Sequence, residues 1–331
     1  MEDSPVISST ILRAVFTAAL ITAPAAAQTR IGPPMLTTPG ADEWYLRTPD
    51  TVSLYIREFG QGEPVIVLHG GWGMDHGYML PALNGLENVA HVVIYDQRGS
   101  MRSPAVAAKI SVQKHVEDLD LVRQRLGLDR VTILAHSMGT FLAQSYLQAH
   151  PDHVKGLILA GAIAPLNDSL HSALGAANKV GGNLSNRPEV DAELKKVGLL
   201  NKTNMTDQEK TRAWRIRFAG VNIYYADRWR EMEGGQVFYS QTAANAASRT
   251  MPAQWNFVPS LRAHPCPLYV VIGAQDYVDF GVVQWKEAAK QLPNLKLRVL
   301  PEAGHASWID QPDLFRQTVR EAIQESAKCK A

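Results

Sequence analysis

The chain has 331 residues, with 33 Lys and Arg against 32 Asp and Glu, a formal net charge of +1. That balance provides no basic field to hold a polyanion and argues against nucleic acid as a partner. Hydrophobic residues at 46% and charged residues at 20% describe an ordinary globular chain and exclude disorder, a fibre or a mini-protein.

Arg13, a short apolar run, Pro24 and Ala25-Ala26-Ala27 before Gln28 have the form of a secretory signal, with cleavage after Ala27. Residues 1–27 are therefore set aside, and the mature chain is expected to be secreted or periplasmic without a membrane span. The alternative, an N-terminal anchor, needs roughly 20 apolar residues, more than this run supplies.

The alternating run Val52 to Phe59 suits an edge hairpin. Val65-Ile66-Val67-Leu68, Val92-Val93-Ile94-Tyr95, Val131-Thr132-Ile133-Leu134 and Leu157-Ile158-Leu159 are near-continuous hydrophobic runs, as are Leu268 to Ile272 and Leu297 to Leu300. Separated by helix-period segments, they predict an α/β chain with a mostly parallel sheet covered on both faces. Val112, Val116, Leu119, Val122 and Leu126 recur at helical spacing, and Met138 to His150 forms a second helix stopped by Pro151. The rhythm fails at about residue 164 and resumes near Pro267. Residues 164–262 therefore read as a helical cap inserted between two parts of one core, 28–163 and 263–331.

Ala135-His136-Ser137-Met138-Gly139 stands where a strand must turn sharply into a helix, the context of a nucleophile elbow. A serine hydroxyl needs a base, and the base needs an orienting acid. Asp276, just past the strand Leu268 to Ile272, and His305, past the next strand, follow in the order Ser, Asp, His. All three fall at C-terminal strand ends, where open α/β sheets place their sites. Asp279 competes with Asp276 as the acid, and Asp276 is favoured because it stands nearer the strand end. His136 is read as filling the elbow, and Arg98 as anchoring the loop Asp96-Gln97-Arg98-Gly99-Ser100. In His69-Gly70-Gly71-Trp72-Gly73, the Gly71 amide, or else that of Trp72, can pair with the Met138 amide to hold an oxyanion.

No metal or cofactor motif is present in the sequence. Cys266 and Cys329 are too few for a thiolate cluster and leave two readings open, one bridge or two unpaired thiols.

At these residues the chain resembles the α/β-hydrolase superfamily, and within it the proline iminopeptidase group of serine peptidases. Tyr95-Asp96-Gln97-Arg98-Gly99-Ser100 and Tyr146-Leu147-Gln148-Ala149-His150-Pro151 lean toward that group. The resemblance implies Ser137 as nucleophile, His305 as base, Asp276 as orienting acid, no cofactor, and removal of an N-terminal residue, typically proline. Such an enzyme must bind an ammonium group, for which Glu231 and Glu233 are the carboxylates best placed by resemblance. Ala-His-Ser-Met-Gly is also common among esterases of this fold. A carboxylesterase or lactonase acting on a small molecule is therefore the alternative, and a silent binding protein the non-enzymatic one.

Overall fold

A strand that is apolar at every position is satisfied only where both faces of its sheet are covered. The computed structural model, which describes residues 40–168, 173–232 and 239–330, uses the hydrophobic runs in this way. The strands are β1 (Asp42–Arg47), β2 (Ser53–Phe59), β3 (Glu63–Leu68), β4 (Ala90–Tyr95), β5 (Val131–His136), β6 (Val154–Ala160), β7 (Leu166–Asn167), β8 (Trp255–Asn256), β9 (Leu268–Gly273) and β10 (Leu295–Leu300). Eight form one sheet in the order β1-β2-β4-β3-β5-β6-β9-β10, parallel except where β2 runs antiparallel to β1 and β4. The hairpin expected around Val52 to Phe59 forms, but β1 is its edge strand and β2 lies inside the sheet. The outermost position suits β1, whose Asp42, Glu43 and Tyr45 are exposed.

Consecutive side chains along a strand enter opposite cores. Ile66 and Leu68 of β3, Ile133 and Ala135 of β5, and Val270 and Ile272 of β9 belong to one cluster. Val65, Val67, Leu134, Tyr269 and Val271 belong to the other. The helix Val112–Arg125, whose N-terminus is capped by Ser111 accepting from the Lys114 amide, buries Val116, Leu119 and Val122 in the first.

Between β6 and β9 the chain is mainly helical, with helices Ala173–Leu184, Pro188–Lys196, Asp207–Asn222 and Gln241–Arg249, and β7 pairs with β8 as a two-stranded ribbon. Thr206 and Glu209 form a reciprocal capping box that sets the start of the third of these helices. The inserted segment belongs to the same compact unit as the sheet.

Cys266 and Cys329 are joined, with Cα atoms 5.9 Å apart, which resolves the two readings in favour of the bridge. The bond ties the end of the last helix, Pro312–Lys328, to the chain just ahead of β9. No helix of the described residues is long and apolar enough to cross a membrane. The signal segment 1–27 and Glu233 lie outside the described residues.

Candidate active site

β5 ends at His136 and a helix begins at Met138, so the whole reversal falls on Ser137, whose φ of 53° and ψ of −126° are unusual for a residue with a side chain. Backbone bonds hold it there. The Ser137 amide donates to the Ala160 carbonyl at 3.1 Å, and the Ser137 carbonyl accepts from the Thr140 amide and hydroxyl at 2.8 and 2.6 Å. Two glycines let the surrounding chain approach. A Cβ at Gly139 would lie 2.6 Å from the Leu68 carbonyl oxygen, and one at Gly70 would lie 2.5 Å from the Ser137 Cβ. The methyl of Ala135, by contrast, points into the core and is fully buried.

The turn after β9 carries Asp276 and the loop after β10 carries His305. Nδ1 of His305 donates to the Asp276 carboxylate, 2.9 and 3.0 Å from its two oxygens, and Asp276 Oδ1 also accepts from the Val278 amide. Asp279, the other carboxylate considered, faces away and accepts from the Gln284 and Trp285 amides at 3.0 and 2.9 Å. The structure thus brings Asp276, and not Asp279, to the histidine.

Ser137 and His305 line one cavity of about 100 Å³. They share it with Gly70, Gly71 and Tyr277 on the sheet side and with Phe218, Asn222 and Met232 from the inserted segment. No Ser137 Oγ to His305 hydrogen bond is present among the described residues. Tyr277 lies edge-on to His305 with ring centroids 4.7 Å apart, and its hydroxyl interacts with the Ser137 side chain. Burial, then the Asp276 carboxylate, push this phenol above its usual range, so it remains an O–H group. The sequence reading did not single out Tyr277, and its position directly after Asp276 is the one signal that could have done so.

Neither the Gly71 amide nor the Met138 amide, the first of its helix, has a backbone acceptor among the described residues. Gly71 borders the cavity, whereas the Trp72 side chain turns into the core, stacked 4.8 Å from His115. The loop is braced from behind. His69 Nε2 accepts from the Gln97 amide at 3.0 Å, and the Gln97 side chain donates to the His69 carbonyl at 2.7 Å. Arg98, 2% exposed, donates to both oxygens of Asp118 and to Asp50, the anchoring duty expected from the sequence.

Glu231 lies away from this cavity. Its carboxylate closes a bidentate pair with Arg228 at 2.7 and 2.6 Å, is half exposed, and does not border the cavity. The adjacent arginine, three residues earlier on the same turn, offers that carboxylate a nearer cation than any substrate. No Asp, Glu, Lys or Arg is among the described residues lining the cavity. Asp75, His76 and Asp96 bring three donor atoms within 4.8 Å of one another, as metal ligands do. Asp96 Oδ1 already accepts from the His76 amide and ring, its Oδ2 from the Arg102 amide, and Asp75 from the Gly77 amide. The cluster is accordingly a loop brace.

Residues 63–312 match the family model described as alpha/beta hydrolase fold. A proline iminopeptidase of Heyndrickxia coagulans is 43% identical over 105 residues, 31% of this chain, and the match spans 36% of that relative's length. A proline iminopeptidase of Saccharolobus solfataricus is 22% identical over 80% of this chain and 86% of its own. A proline iminopeptidase-related protein from Thermus thermophilus superposes with a TM-score of 0.64 at 26% identity, covering 86% of this chain and 98% of that one. A thermophilic esterase from Thermogutta terrifontis has the same fold, with a TM-score of 0.61 at 20% identity over 86% of this chain and 99% of its own. With the family model matching well over half its length, the chain belongs to the alpha/beta hydrolase family and resembles proline iminopeptidases.

Proposed function

We propose that this protein is a serine hydrolase that cleaves carboxylic esters or amides of small, uncharged acyl groups through an acyl-enzyme. One observation carries the reading: Ser137 and an Asp276-held His305 share a cavity whose described lining has no ionised carboxylate or cation. In this reading His305 Nε2 takes the Ser137 proton as Oγ attacks the carbonyl, then returns it to the leaving group. Asp276 keeps Nδ1 protonated and so leaves Nε2 free as base. The Gly71 and Met138 amides receive the oxyanion, and water then resolves the acyl-enzyme along the same path. Phe218, Asn222 and Met232 make the inserted segment the lid of the acyl pocket. The Cys266–Cys329 bond supports placing the protein in an oxidising compartment, as the signal-like segment implies.

An aminopeptidase is the second reading, favoured by the named relatives, with Glu233 as the remaining carboxylate for an ammonium group. Hydrolysis of p-nitrophenyl acetate and butyrate beside proline-p-nitroanilide, with Ser137→Ala as control, separates the two. Ester turnover abolished by Ser137→Ala supports the first. Anilide cleavage lost on N-acetylation of the substrate supports the second, and turnover that survives Ser137→Ala overturns both.

A further inference from the structure

Three loops must keep one register for this chemistry: Gly70–Gly71 after β3, the elbow after β5, and Gly304–Ala306 after β10. β3 and β10 are separated in the sheet by β5, β6 and β9, so their loops are not held together by a shared strand pair. A chain of hydrogen bonds spans the distance. The Gly70 amide donates to the Tyr78 hydroxyl at 2.6 Å, that hydroxyl lies 2.7 Å from His136 Nδ1, and His136 Nε2 lies 3.2 Å from the His305 carbonyl oxygen.

The direction of each proton follows from the partners. A carbonyl oxygen can only accept, so His136 Nε2 carries the hydrogen, and Nδ1 of the neutral ring must then accept from Tyr78. Neutrality agrees with its surroundings, since burial and then the facing His305 hold His136 well below the ordinary histidine value. Every hydrogen in the chain is committed. His136 therefore has no nitrogen available to Ser137 and cannot serve as a second base. Tyr78 and His136 are 9% and 3% exposed, and Trp308 packs against both rings, at 6.1 and 4.7 Å between centroids.

We propose that Tyr78 and His136 are a positioning pair that ties the oxyanion loop to the His305 loop, fixing the Gly71 amide and the base in register across Ser137. The inference rests on Ser137 acting as the nucleophile. Without the Tyr78 hydroxyl, the buried Gly70 amide and His136 Nδ1 both lose their partner. The Gly70–Gly71 peptide is then free to turn, helped by the positive φ of Gly71, 68°.

The test uses the full chain. Tyr78→Phe should lower kcat on p-nitrophenyl acetate about 10- to 100-fold, short of the loss expected when an oxyanion donor is removed outright, with KM within about threefold. A purely structural role would lower the unfolding temperature and leave kcat of the folded protein in place. Tyr78→Phe protein that unfolds cooperatively yet keeps kcat within twofold of wild type overturns the proposal. Nitrogen-15 NMR of the wild-type histidines gives a readout that needs neither the variant nor activity. His136 should be a neutral Nε2–H ring at pH 7 with a slowly exchanging proton, and an Nδ1–H or doubly protonated ring overturns the proposal. Should wild-type turnover survive Ser137→Ala, the nucleophile reading fails, and the tautomer still decides whether the bridge exists.

Discussion

Asp310 accepts the amide hydrogen of Gly304 at 2.9 Å and, on the same oxygen, that of Tyr224 at 2.8 Å. One buried carboxylate thereby fastens the loop that presents His305 to the inserted segment, and the Ala306 amide repeats the link by donating to the Asn222 carbonyl at 2.7 Å. His305 is held from two sides, by Asp276 on its ring and by the inserted segment on the backbone of its loop.

Asp310→Ala should therefore cost more than a surface change. It leaves the amides of Gly304, Tyr224 and Tyr225 without their acceptor, and we expect a loss of about 3 kcal/mol in unfolding free energy. Urea denaturation checks it through a lower midpoint at an unchanged slope. Equal midpoints would show that the inserted segment does not depend on this carboxylate.

Glu231 leads to the opposite expectation. Its pair with Arg228 is half exposed and lies away from the cavity, so Glu231→Gln should change stability by no more than about 1 kcal/mol. Turnover of both p-nitrophenyl esters and proline-p-nitroanilide should stay within twofold of wild type. A large rise in KM confined to the anilide would return Glu231 to the binding of an ammonium group.

The contrast between these carboxylates shows where sequence reading stops. Strands β3, β4, β5, β6 and β9 were legible because continuous β-branched runs have few other uses, and the elbow because strand, serine and Gly139 leave the chain one way to turn. Asp276 and Asp279 stand three residues apart after one strand, and only the path of that turn decides which meets His305. Tyr78 and Asp310 each join a near partner to a distant one, and the distant ones, His136 at 58 residues and Tyr224 at 86, leave no local signal. Glu231 poses a related difficulty. A neighbouring arginine captures it, and the choice between pairing locally and facing a substrate is made by backbone direction.

His264 predicts a pH dependence. It is 4% exposed, neither ring nitrogen has a partner among the described residues, and burial, then Arg130, lower its pKa to about 4. Well above pH 6.5 the ring is neutral in both folded and unfolded chains and contributes no pH dependence. As pH falls from about 6.5 to about 4, the unfolded chain takes up a proton that the folded chain refuses, so stability declines through that window. His264→Phe should remove this component, flattening the decline by on the order of 2 kcal/mol between pH 6.5 and 4.5. Urea midpoints of both proteins across that range are the measurement, and parallel curves would sink the assignment.

The Cys266–Cys329 bond should support stability without touching turnover. It closes a span of 63 residues, for which loop entropy supplies on the order of 4 kcal/mol. Cys266 precedes β9, whereas Asp276 follows that strand's other end, so the cross-link and the candidate site sit at opposite edges of the sheet. The Cys266→Ala, Cys329→Ala double variant should unfold several degrees below the oxidised wild type while keeping its ester kcat at 25 °C within twofold. Cys266 is fully buried, so the double variant is a cleaner comparison than adding a reductant to the folded protein. A variant with wild-type stability would show that the span is already closed by packing of the last helix. A variant that stays folded but loses turnover would mean that β9 transmits strain from the bond to Asp276.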